Sequence, residues 1–402
     1  MSRILFAWEL GANFGHVARD LPVATALREQ GHDVLFAVRD LRVAQELLAP
    51  GGWCFVPAPS PDRDALGHPP INYSEMLLTG GYGDAIGLYG RVNAWAAIIG
   101  LHKSDVVVVN HAPTALLAAK IARTPAVMAC IGFELPPQSD PLPSIRPWEN
   151  TPIEQLQRAD AAALQAINSV LVSHECEPLQ TVASLFKGVP TVLTTFPELD
   201  HYGARIGGNY VGPMMSLTQT IRYDWPGKQG ARIFAYLRPS IAGCEHLLTA
   251  LQRVEASVLC VIPGASADFV SRFASPNLKI HTRPADLGAA LREADLVVAY
   301  GAGTIADALL AGVPLLMVPQ VIEQALAAER VEALGAGLTW KPPRTAESAT
   351  HILGAALEDA QLSTKAKQFA ARHHHFNHEQ AARRVVDTVM SLLQRKSGGP
   401  AA

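Results

Sequence analysis

The chain has 402 residues, 49% hydrophobic and 17% charged, and its 33 basic and 36 acidic side chains leave a formal charge of -3. That length exceeds one comfortable core and suits two α/β domains of about 200 residues each. The composition excludes extensive disorder, and the near-neutral balance gives no general attraction to nucleic acid or to an anionic membrane.

Cys54, Cys130, Cys176, Cys244 and Cys260 are few and scattered, which suits reduced, buried thiols and a cytoplasmic protein better than a disulfide frame or a zinc site. The N-terminal apolar stretch is too short for a signal peptide. No integral membrane segment is expected, because the longest apolar region, Val106 to Ile131, is interrupted by Asn110, His111, Lys120 and Arg123.

Ile4 to Trp8 reads as a first buried strand, followed by a polar glycine turn, a helical run from Leu21 to Gln30, and a second strand, Val34 to Val38. The alternation continues with a strand at Asp105 to Val109, a helix at Thr114 to Ala122, and strands at Ala126 to Ile131, Val170 to Ser173 and Thr191 to Thr195. Residues 1-215 thus form one Rossmann-like, doubly wound domain. Between Pro213 and Ala231 the periodicity fails, and Pro226, Gly227, Lys228 and Gly230 mark an exposed linker over 216-231. A second Rossmann-like domain over 232-376 has strands at Ile233 to Leu237, Ser257 to Ile262, Leu278 to His281, Leu296 to Ala299 and Leu315 to Val318. A final helix, about Asn377 to Arg395, opens the C-terminal segment 377-402.

The most informative stretch runs from Ala299 to Gln324. After the apolar strand, Gly301 and Gly303 allow a tight turn, and Thr304 to Leu310 opens a helix whose unpaired N–H groups and dipole attract an anion. Gly312-Val313-Pro314 closes that helix, Pro319 ends the next strand, and Glu323-Gln324 follows as a hydrogen-bonding pair. These residues resemble the nucleotide-sugar motif of GT-B glycosyltransferases of the UDP-glycosyltransferase and macrolide-glycosyltransferase type. The resemblance places Asp307 at the ribose-binding carboxylate and Glu323-Gln324 at the pair that holds sugar hydroxyls. It is incomplete at Ala299, where the family has a diphosphate-binding histidine, and at Tyr300, where it has a glycine. Gly15-His16-Val17 to Gly31-His32-Asp33-Val34 is similar to the first βα unit of the same family. From about Pro57 to Trp148 the match is weak.

The resemblance implies a GT-B fold, two Rossmann-like domains facing an interdomain cleft, with the last helix returning to the first domain. It makes His16 the general base, a task that suits an imidazole titrating near neutrality; a plain helix cap is the structural alternative. Where the family orients its histidine with an aspartate, this chain has Asn110; either catalysis depends less on that partner, or another carboxylate approaches, Glu9 before Asp20, with an ordinary loop carboxylate as the alternative for Glu9. Arg238, just after a strand end, suits the diphosphate, and Arg283 stands in the region where relatives contact the nucleobase. Ordinary surface and turn roles are the alternatives for both.

The histidines from His373 to His378 read as a solvated helix entry rather than a metal site, and Tyr73, Tyr82, Tyr89 and Trp95 as packing residues. The expected activity is inverting transfer from a UDP-sugar or dTDP-sugar to an acceptor hydroxyl or amine, with no cofactor and no required metal. A nucleotide-sugar epimerase or hydrolase, or a catalytically weakened donor-binding regulator, are the other readings.

Overall fold

A computed structural model describes residues 1–12, 14–61, 66–214, 221–227, 230–283 and 286–397. The chain divides into two compact units at Met214 and Met215, and the C-terminal helix belongs to the first of them.

The first unit contains β1 (Arg3–Trp8), α1 (Gly15–Glu29), β2 (Asp33–Val38), α2 (Leu41–Leu47), β3 (Cys54–Pro57), α3 (Tyr73–Leu77), α4 (Ala85–His102), β4 (Val106–Val109), α5 (Pro113–Ile121), β5 (Ala126–Cys130), α6 (Ile153–Ser173) and β6 (Thr191–Leu193). Its six strands are ordered β3-β2-β1-β4-β5-β6, and every neighbouring pair is parallel. Helices cover both faces, so β4, Val106 to Val109, is buried throughout.

The second unit contains β7 (Ala231–Tyr236), α7 (Cys244–Arg253), β8 (Ala256–Val261), α8 (Ala267–Phe273), β9 (Leu278–His281), α9 (Leu287–Glu293), β10 (Leu296–Ala299), α10 (Ala302–Leu310), β11 (Leu315–Met317), α11 (Ile322–Leu334), β12 (Gly337–Thr339), α12 (Ala346–Glu358) and α13 (Ala360–Arg372). Its order, β12-β11-β10-β7-β8-β9, is the same winding as in the first sheet. In both, the connection reverses direction beside the first strand, between β1 and β4 and between β7 and β10. Open α/β sheets bind ligands at that point, beyond the carboxyl ends of the strands. The last helix, α14 (His378–Ser397), packs on α1 of the first unit, and His378 Nδ1 donates to the Pro213 carbonyl at 2.9 Å.

Several expectations need correction. Val170 to Ser173 is not a strand but the last turn of α6, whose buried stripe of Leu156, Ala159, Ala163, Ala166, Ile167 and Val170 repeats at helical spacing. The helix expected from Leu21 begins at Gly15 and tolerates Pro22 in its interior. Gly301 needs no special backbone freedom, since its φ is -99°. Cys54 is exposed and Cys176 half-buried, unlike the other three cysteines, and all five are free.

Residue 215, part of the expected linker (216–220 and 228–229), Pro284 and residues 398–402 of the tail lie outside the described residues. The linker's described part is anchored on the second unit: Tyr223 stacks on His281 with ring centroids 3.5 Å apart, and Ile221 accepts from the Asp286 N–H at 2.7 Å. Among the described residues no helix is long and apolar enough to cross a membrane.

Candidate active site

Register brings the ends of β1 and β4 together in the first sheet. Ala7 lies opposite Val109, and the Asn110 N–H donates to the Ala7 carbonyl at 2.9 Å. Beyond the strands, the Leu10 N–H donates to the His111 carbonyl at 3.0 Å, tying the two loops to each other. His16, in the first turn of α1, stacks its ring on Trp8 with centroids 5.1 Å apart.

His16 Nδ1 lies 2.9 Å from Asn110 Oδ1. The orientation of that amide follows from its neighbours. Asn110 Nδ2 donates to the His16 carbonyl at 3.0 Å and to Asp20 Oδ2 at 2.9 Å, while Oδ1 also accepts from Arg19 Nη2. The reverse orientation would set an NH₂ group against a guanidinium and two acceptors against each other. Oδ1 therefore faces His16 Nδ1, which must be the protonated nitrogen, leaving the lone pair of the neutral ring on Nε2.

Among the described residues, Glu134 is a carboxylate that approaches His16, and the sequence reading did not single it out. It follows β5 on a short 3₁₀ turn, Gly132–Glu134, and its Oε1 lies 3.5 Å from His16 Nδ1. Both its oxygens accept from Arg19 Nη2, at 3.0 and 2.8 Å, and Oε2 also accepts from the Ile131 N–H at 2.9 Å. The pair is deeply buried, with side chains 11% and 2% exposed. Burial by itself would raise the Glu134 pKa, but Arg19, His16 and His111 together hold it below the ordinary value.

Glu9 does not fill the expected role. Its oxygens accept from Trp95 Nε1 at 2.9 Å and from the Thr114 N–H at 2.6 Å, which fastens α4 and α5 to the end of β1. Burial pushes its carboxyl up to about 7. Asp20 is likewise pushed up to about 7 by burial, against the pull of Arg19 and Asn110, and its Oδ1 is buried without a hydrogen-bond partner.

His111 packs beside His16 with ring centroids 6.0 Å apart. It adopts a left-handed φ of 47°, and burial pushes its pKa down to about 3, so it stays neutral. Ligating atoms of His16, His111 and Glu134 lie within 4.8 Å of one another, a donor set that suits a transition metal. Here, however, the Arg19 guanidinium already supplies the cation on both Glu134 oxygens.

Tyr73, Tyr82 and Trp95 are buried packing residues, and Tyr89 stacks on His174 at the surface.

In the second unit the switch point holds the residues expected at a diphosphate. Gly301 caps α10, and side-chain atoms added at Gly301 or Gly303 would meet nothing within 4 Å, so the helix N-terminus opens onto free space. Thr304 is buried in the same first turn. Burial raises the pKa of both Tyr236 and Tyr300 while the positive charge of Arg238 works against it, so Arg238 stands close to the end of β10. Asp307, one turn along α10, is pushed up to about 7 by burial.

Gly312, with φ 74°, ends α10: its N–H donates to Leu309 and that of Val313 to Ala308, both at 3.0 Å. Gln324 Oε1 accepts from the Gln320 N–H at 2.8 Å, which commits that oxygen to the entry of α11; Glu323 is half-buried beside it. Gln320 in turn accepts from the Ala242 N–H at 2.8 Å, bracing the loop that carries Arg238. Arg283 is exposed, and its carbonyl accepts from the Tyr223 hydroxyl at 3.3 Å.

The fold is shared with known proteins. Residues 245–386 match the family model of the erythromycin biosynthesis protein CIII-like C-terminal domain. The chain is 33% identical over 103 residues to the NDP-glycosyltransferase YjiC of Bacillus subtilis (strain 168), a match that spans 25% of this chain and 24% of that relative. Similar solved structures include CalG4, the calicheamicin glycosyltransferase, with a TM-score of 0.74 at 19% identity over 99% of both chains. They also include the glycosyltransferase VinC in complex with dTDP, with a TM-score of 0.68 at 18% identity over 98% of this chain and 100% of that one. The chain thus has the GT-B fold of the macrolide and antibiotic glycosyltransferases, with an EryCIII-like C-terminal domain over residues 245–386.

Proposed function

We propose that the protein transfers a sugar from a nucleoside diphosphate donor to an acceptor hydroxyl or amine, with inversion at the anomeric carbon. The observation that carries this reading is the 2.9 Å contact from His16 Nδ1 to Asn110 Oδ1, which leaves Nε2 as a base. As the acceptor oxygen bonds to the anomeric carbon, its proton passes to Nε2. The bond from that carbon to the diphosphate oxygen breaks, and the nucleoside diphosphate leaves with the electron pair. One displacement inverts the centre.

The growing charge on the leaving group falls to the N–H groups at the start of α10 and to Arg238, so departure needs no metal. Asp307 then accepts from the ribose, and Glu323 with the amide of Gln324 holds sugar hydroxyls. The dTDP complex of VinC supports dTDP-sugars as donors beside UDP-sugars.

A mass-spectrometric screen of dTDP- and UDP-sugars against acceptor pools tests the reading. The expected result is a glycosylated product mass that appears with the wild type and is lost with His16→Ala. Free sugar from donor alone would mean hydrolysis, and donor binding without turnover across a broad panel would mean a regulatory role.

A further inference from the structure

We infer that Glu134 is the positioning residue that stabilises the imidazolium of His16, in place of the aspartate that position 110 lacks. This rests on the reading of His16 as the base. Accepting a proton creates a positive charge on a side chain only 15% exposed, and a buried charge is costly unless an opposite charge pairs with it. Asn110 satisfies the Nδ1 hydrogen bond but brings no charge.

Among the described residues, Glu134 is an anion placed for the task, with Oε1 3.5 Å from Nδ1. The Glu9 oxygens are spent on Trp95 and Thr114. Asp20 Oδ2 accepts from the amide of Asn110 rather than facing the ring. His111 is neutral. Arg19 is positive and would oppose the imidazolium, but its guanidinium is bound to Glu134 at 2.8 and 3.0 Å. Glu134 thus does two things: it screens His16 from Arg19 and supplies the balancing charge. The Ile131 N–H on Oε2 holds the carboxylate in place for both.

The test is an NMR titration of the His16 ring in the full chain, run alongside turnover. Glu134→Gln leaves His16 facing an unpaired guanidinium, so its pKa should fall by about one unit or more. The acid limb of the pH profile should move down with it, and kcat at pH 7 should drop about tenfold or more while donor KM stays put. The double variant N110D/E134Q returns a carboxylate to Nδ1 and to Arg19, and should bring the His16 pKa and kcat back towards wild type. Glu134→Asp keeps the charge and should hold the titration near its wild-type midpoint; with the double variant it decides the matter if E134Q does not fold. A folded E134Q in which His16 titrates as in wild type would overturn the inference, as would a folded double variant without recovery. The titration needs no substrate, so its outcome stands apart from whether the wild type transfers a sugar.

Discussion

The imidazole of His16 packs directly on the backbone of Gly11: a methyl group added there would overlap Nε2 and come within 3.0 Å of Cε1. Gly11 also has φ +85°, a conformation that side chains resist. Gly11→Ala should therefore displace the base and lower turnover by about 10²-fold, the range expected for losing a positioned proton acceptor. Steady-state kinetics with calorimetric donor binding checks this. Normal kcat in the variant would show that the ring has room to spare.

His16→Ala should reduce kcat by about 10²-fold or more and leave nucleoside diphosphate affinity nearly unchanged. Comparing it with Gly11→Ala separates loss of the base from its displacement, and equal turnover with wild type would take His16 out of the chemistry.

Replacing Asn110 with aspartate restores the residue expected from the family resemblance, but the structure argues against a gain. Asn110 Nδ2 donates to Asp20 Oδ2, and a carboxylate has no hydrogen to offer there. Asp20, pushed up to about 7, keeps its proton below that pH and can itself donate to the new carboxylate; above it, two anions face each other. Asn110→Asp should lose more thermal stability at pH 8 than at pH 6, with no rise in turnover. Melting curves at the two pH values give the answer.

Arg238→Ala should weaken binding of dTDP or UDP by roughly one to two decades, the equivalent of a charge-assisted hydrogen bond of about 1.5 to 3 kcal/mol. The corresponding nucleosides should lose much less. Calorimetry that finds diphosphate affinity unchanged would leave α10 alone with the leaving group.

Asp307 carries a stability cost beside the binding role proposed for it. Its folded pKa, about 7, lies above the ordinary value of 3.8 because of burial. Its contribution to stability is therefore full below about pH 4 and is lost as the pH rises through about 7. Asp307→Asn should melt higher than wild type at pH 8 and about the same at pH 4, while donor affinity falls. Parallel melting curves across that range, with donor titrations, would reveal whether the two effects separate.

Much of the architecture is legible in the residues themselves. Leu296 to Ala299 is a strand with the bounds read from its apolar run, and Gly312-Val313-Pro314 closes α10 as its turn chemistry requires. Val170-Leu171-Val172 misleads because three apolar residues suit either element. The stripe that makes it helical begins at Leu156, beyond any local window. The edge strands β3 and β12 escape notice because one ends in proline and the other is three residues long.

The chain alone determined the βα alternation, the glycine turns and the presence of His16, Arg238 and Asp307 at strand or helix ends, since periodicity and turn chemistry are local. It did not determine which carboxylate serves His16. Glu134 is 115 residues from its partner Arg19, and nothing in Gly132-Phe133-Glu134 distinguishes it from an ordinary polar turn. Only the order β1-β4-β5 sets the three strand ends side by side. In the pocket they form, burial raises Glu9 and Asp20, while Arg19 keeps Glu134 ionised. Charge in a protein interior depends on neighbours and solvent exclusion, and both are products of the fold.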